Sequence, residues 1–136
     1  MRKDIDFIKR YLNVFIESDA PYVSMHELID SGFPIEDETV FFHFLLLVEE
    51  GYISSVNLER GDLEKLGVHF ISARRPVDWT NTPIRITNDG MEFLESINND
   101  DVFEKLKSIG TQPLSVIKEV GIELIKSYAK KKFGLE

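Results

Sequence analysis

Three histidines, His26, His43 and His69, are the side chains best suited to metal or proton-transfer chemistry. None falls in an H-x-x-x-H or H-E-x-x-H spacing, which would set two imidazoles on one helical face around zinc. His43 stands among phenylalanines and leucines, the setting of a hydrogen-bonded core histidine. There is no cysteine, so thiolate metal sites and disulfides are both excluded. No serine occupies a G-x-S-x-G turn, and no glycine-rich segment could cradle a phosphate. Glu36-Asp37-Glu38 is the one acidic run. Consecutive helical residues point in different directions, and acids are favoured at a helix start in any case. The expectation is a protein without catalysis, cofactor or metal.

Charge carries more information. The net charge is −8, yet no lysine or arginine lies between Arg10 and Arg60, an interval that holds ten acids. Bases gather at Arg60, Lys65, Arg74 and Arg75 and again at Lys130-Lys131-Lys132. If the chain meets DNA, its base-reading residues would be Thr39 and His43 on the third helix. Arg60, Lys65, Arg74 and Arg75 would then grip phosphates from a β wing. Phosphate neutralisation by Lys and Arg supplies most non-specific affinity, so a base-free reading helix with three acids at its entry meets a duplex with repulsion. Nucleic acid is therefore the disfavoured partner. Three consecutive lysines are also fewer than stable membrane recruitment takes, and the longest apolar run is far short of a bilayer span. The opening M-R-K-D-I-D-F-I has no apolar signal core, so the expected location is the cytoplasm.

The elements that must position these residues are legible from apolar spacing. Ile5, Ile8, Leu12 and Phe15–Ile16 recur at helical period and predict a first helix over 4–18. Ser24-Met25-His26-Glu27 is a capping box that opens a short second helix ending near Asp30. A third helix starts near Glu36 and closes at Gly51. Residues 52–58 and 68–74 are rich in β-branched and aromatic types and predict two strands of a hairpin, joined through Glu59 to Asp62. Residues 76–83 form a longer excursion around Trp79, and Ile84 to Ile86 a third short strand. Thr87 caps a fourth helix with Met91, Leu94 and Ile97 on its core face. A fifth helix covers Val102 to Ile109, and Pro113 opens a sixth. That order predicts an α+β, mainly α, winged helix-turn-helix-like core over 1–97 with a small antiparallel wing. Two added C-terminal helices, over 98–136, pack on it as part of a single domain.

Three blocks, M-R-K-D-I-D-F-I, F-H-F-L-L-L-V-E-E-G-Y-I and P-I-R-I-T-N-D-G-M-E-F-L-E-S-I, resemble the small bacterial and prophage proteins grouped as domain of unknown function number 2513. The likeness runs from residue 1 to about 125, with a longer excursion at 76–83 than the family's. It implies a bacterial or phage setting and carries no activity or catalytic residue with it.

The leading expectation is a protein-interaction or self-association module, meeting a protein partner or pairing as a homodimer. Two stripes are candidates. The third helix holds more bulk, from Phe41 to Leu47, than one face can direct into one core. The sixth presents Leu114, Ile117, Leu124, Ile125 and Tyr128 as a candidate interface. The alternative is that the two stripes simply pack on each other, the last helix covering the third. The rival function is a DNA-binding regulator acting through the wing.

Overall fold

Asp4 opens the first helix, α1 (Ile5–Glu17), by accepting hydrogen bonds on one carboxylate oxygen from the amides of Asp6 and Phe7, at 2.9 and 3.3 Å. Most of the apolar period seen in the sequence is the buried face, Ile5, Ile8, Leu12 and Phe15 with Phe7 and Tyr11 beside them, whereas Ile16 is exposed. A two-residue strand, β1 (Val23–Ser24), follows, and Ser24 serves at once as strand residue and helix cap. Its hydroxyl accepts from the amide of Glu27 at 3.2 Å, and the Glu27 carboxylate reaches back to the Ser24 amide, closing the capping box of α2 (Met25–Asp30). The third helix, α3 (Glu38–Glu49), starts two residues later than the acidic run suggests, because Asp37 is its cap rather than a member. Gly51, at φ +69°, turns the chain out of it into β2 (Ile53–Ser55).

The computed structural model describes residues 1–71 and 77–134. Beyond β2 it contains a short 3₁₀ turn (Glu64–Leu66), then β3 (Val68–His69), β4 (Asp78–Trp79) and β5 (Pro83–Ile86). The helices α4 (Asn88–Asn98), α5 (Asp100–Ser108) and α6 (Leu114–Lys132) complete it. The described chain is α+β and mainly helical, with a small antiparallel sheet of order β1-β5-β2. Val23 faces Ile84 across one side of β5, and Ile53 faces Ile86 across the other.

Among the described residues, the hairpin expected between 52–58 and 68–74 does not form. The chain turns back on itself at Ser55–Glu59: the Ser55 amide donates to the Glu59 carbonyl, and the Glu59 amide donates to the Ser55 hydroxyl. Leu58 is forced to φ +68°, which no strand residue adopts. Val56 and Leu58 therefore stand in solvent, and β2 pairs with β5 instead. The hairpin that does form is β3 with β4, which puts Trp79 opposite Val68, so the 76–83 excursion supplies a strand where none was expected. Residues 72–74 of the second expected strand lie outside the described residues.

Thr87 and Gly90 fasten the sheet to the C-terminal helices. The Thr87 hydroxyl donates to the Gly51 carbonyl at 2.6 Å and accepts from the Gly90 amide at 3.1 Å, while the Thr87 amide donates to the Tyr52 carbonyl. Phe93 stacks on Tyr52 with ring centroids 5.1 Å apart. The I-T-N-D-G-M-E-F-L and E-E-G-Y-I blocks are thus two sides of one junction. On the far side, α6 lies against α4 and α5.

Candidate interaction surface

Helix α3 divides into two unlike faces. Val40, His43, Phe44, Leu47 and Val48 point inward and are buried. On the outward side Phe41, Phe42, Leu45 and Leu46 are half-buried, and the exposed acids Glu38 and Glu49 stand at its two ends. Helical spacing places Glu38, Phe42, Leu45 and Glu49 along the centre line of that face, with Phe41 and Leu46 at opposite edges. The Leu46 edge drops into an open groove of about 810 Å³, whose lining includes Ile5, Phe42 and Leu46 with Arg2, Lys3 and Lys107. Phe41, at the other edge, meets Phe70 at 5.8 Å between centroids. Phe70 and its neighbour Ile71 are 62% and 55% exposed, so an aromatic and aliphatic strip continues from the helix into solvent.

The elements beside this strip are tied to one another by side-chain contacts. Trp79 donates its indole N–H to Glu36 at 2.5 Å and receives the edge of His26, with centroids 5.2 Å apart. The β3–β4 hairpin is thereby tied down over the α2–α3 turn, and Asn81 adds a hydrogen bond from the His26 amide.

Of the residues proposed for DNA contact, the described ones do not form a single basic surface. Thr39 is exposed, but its amide belongs to the Asp37 cap. His43 is buried at 1% exposure and cannot reach a base edge, which corrects its candidacy. Arg60 donates to Asp89 at 2.9 Å, and Lys65 lies 3.6 Å from Glu59, so both described wing bases face acids of their own chain. Arg74 and Arg75 lie outside the described residues. Asp89 was not anticipated from the sequence: it also takes Lys118 at 3.4 Å and so links the wing base to α4 and α6. The Arg60 hydrogen bond, helped by Lys118, holds its carboxyl below the usual carboxylate range.

His43 has its own task. Its Nδ1–H donates to the Thr39 carbonyl at 2.8 Å, and its Nε2 accepts from the Asp4 amide at 2.9 Å, an assignment forced by the two partners. The ring also stacks on Phe7 at 4.3 Å. A proton on Nε2 would face another N–H in a dry site, and burial lowers the pKa below the ordinary histidine value. The unfolded chain therefore takes up this proton at a higher pH than the folded one. Its contribution to stability is complete above about pH 6.5 and is lost as pH falls through the lower folded value. The urea midpoint should drop between neutral and mildly acidic pH more steeply in the wild type than in His43→Gln. Equal slopes would remove the assigned role, since His26 and His69 are common to both.

The expected α6 interface is also corrected in part. Leu114 and Ile117 are 5% and 0% exposed, spent inside the chain against α4 and α5, and cannot meet another molecule. Leu124, Ile125 and Tyr128 are half-buried against the same core. Tyr128 accepts from Lys105 at 3.3 Å. The close approach is permitted by Gly121, where a β-carbon would come within 2.6 Å of the Ser96 hydroxyl. The surplus bulk on α3 was the informative signal. Which of its residues would be left outside depended on neighbours distant in sequence.

Among the described residues, no group of three or more His, Cys, Asp or Glu side chains could hold a metal, and no helix is long and apolar enough to cross a membrane. No family model, curated protein or solved structure matches the chain.

Proposed function

We propose that this chain is a non-catalytic, winged-helix-like protein-docking module whose third helix presents its outward face to a basic, amphipathic partner rather than to DNA. The order α1-β1-α2-α3-β2, a long wing, β5 and α4, with sheet order β1-β5-β2, supports the winged-helix reading. In that arrangement α3 is the element a DNA-binding relative would lay in the major groove. The observation that carries the proposal is what α3 displays there: Phe41, Phe42, Leu45 and Leu46 between Glu38 and Glu49, with no base on the helix. Apolar area gives such a surface its affinity, and the acids select a partner with lysines or arginines at its margins. The resemblance to domain of unknown function 2513 adds a bacterial or phage setting.

A fluorescent model helix with a leucine stripe and lysines on its flanks should bind with micromolar affinity. Phe42→Ser with Leu45→Ser should abolish that binding, and the thermal midpoint should move little because both side chains are already partly in solvent. Unchanged binding by the folded double variant would refute the assignment to α3. The rival regulator predicts instead that Arg74→Ala with Arg75→Ala lowers affinity for duplex DNA and reduces its salt dependence.

A further inference from the structure

Two clusters of opposite charge lie on this molecule, and among the described residues neither is neutralised by an ion pair within the chain. Among the described residues, no ion pair uses Glu36, Asp37, Glu38, Glu49 or Glu50 around α3. None uses Lys130, Lys131 or Lys132 at the end of α6 either. The α6 tip stands clear of the core: from Ala129 to Gly134 every residue is exposed. Phe133 at its end is a 70% exposed aromatic. The tip is therefore a short basic segment with an apolar end, the chemistry the α3 face calls for.

We propose that the occupant of the α3 face is a second copy of this chain, the α6 tip of each protomer seating on the α3 helix of its partner. The inference rests on the docking reading above and names its partner. Arg2, Lys3 and Lys107 flank the Leu46 edge of α3 and repel a lysine-bearing segment from the groove. The tip is steered to the opposite edge, where Phe41 and Phe70 offer Phe133 an aromatic bed and Glu36, Asp37 and Glu38 face the lysines. About a two-fold axis each protomer gives a tip and receives one, so every contact is made twice.

The test is sedimentation equilibrium of three proteins at low and physiological salt. The wild type should dimerise at micromolar concentration, and more weakly as salt rises. Lys130→Glu, Lys131→Glu, Lys132→Glu places acid against acid, and Glu38→Lys places base against base. Each variant alone should dimerise at least about tenfold more weakly. Mixed in equal amounts they should recover the dimer, because the reversed tip meets the reversed helix and the native tip meets the native helix. Far-UV circular dichroism of each checks that helix content is kept.

A wild type that stays monomeric at high micromolar concentration, or a mixture that fails to recover, overturns the second copy as occupant. If the lysine-flanked model helix still binds through Phe42 and Leu45, the docking reading stands and the partner is another protein. If that helix fails too, both fall.

Discussion

Ile117→Asp is expected to unfold the protein rather than to dissolve an assembly. Ile117 has no exposed surface and lies where α6 meets the rest of the core. A carboxyl placed there would be stripped of water inside the hydrophobic core. It would be driven to its neutral form and would still leave polar atoms unsatisfied. Loss of the isoleucine's packing adds to that, and together the two costs come to about 4 kcal/mol or more. A domain of this size has only about 5–15 kcal/mol in total. The far-UV helical signal should be strongly reduced at ambient temperature, or the urea midpoint should collapse. Read from the sequence alone, the same substitution should remove an oligomer and leave helix content intact. A folded, monomeric Ile117→Asp would restore that view and contradict the placement of α6. Leu124→Asp, at a half-buried position, should be considerably milder.

Gly90→Ala carries the second large effect, and with the sign opposite to what helix propensity alone gives. A glycine inside a helix is destabilising by about 1 kcal/mol relative to alanine, so the change should help an isolated α4. In the folded chain the new β-carbon would lie 2.3 Å from the Tyr52 carbonyl oxygen and 2.9 Å from Ile86 Cγ1. The first is a backbone atom held in place by the Thr87 amide, so it cannot swing aside as a side-chain tip would. Relief requires α4 to retreat from β2, which also loosens the Thr87 bond to Gly51 and the stacking of Phe93 on Tyr52. The expected cost is about 2–4 kcal/mol, read as a fall in urea midpoint at unchanged slope. A stabilised Gly90→Ala would mean that α4 stands farther from the Tyr52 carbonyl than this close approach requires.

These two residues show which parts of the molecule a sequence can disclose. The capping box at Ser24–Glu27, the Thr87 cap and the Gly51 turn depend on residues a few positions apart, and each forms where the local pattern put it. The helices follow from apolar period for the same reason. Strand pairing is a different problem, because β-branched composition at 52–58 cannot reveal that Ser55 and Glu59 close a turn. Nor can it reveal that β5, some thirty residues on, displaces the expected partner. The two-residue strand β1 gives no periodic signal at all, yet it completes the three-stranded sheet.

The candidate surface divides in the same way. That α3 carries more apolar bulk than a core needs is countable from Phe41 to Leu47. That α6 is consumed by α4 and α5 while the outer face of α3 stays only half-buried among the described residues depends on contacts far apart in the chain. The apolar neighbours of His43 disclose its core role, and only the geometry supplies its partners, Asp4 and Thr39.

The central claim, that α3 meets protein and not nucleic acid, is tested most directly by fluorescence anisotropy of two probes titrated side by side with the wild-type chain. One is a mixed-sequence DNA duplex, and the other is the lysine-flanked model helix. Non-specific DNA binders reach dissociation constants of about 10⁻⁴ to 10⁻⁶ M at physiological salt and bind far more tightly below it. The prediction is saturable binding of the helix and none of the duplex, even at low salt. Micromolar duplex binding that fades steeply with salt, with no binding of the helix, would contradict the account and return the wing arginines to the centre of the problem.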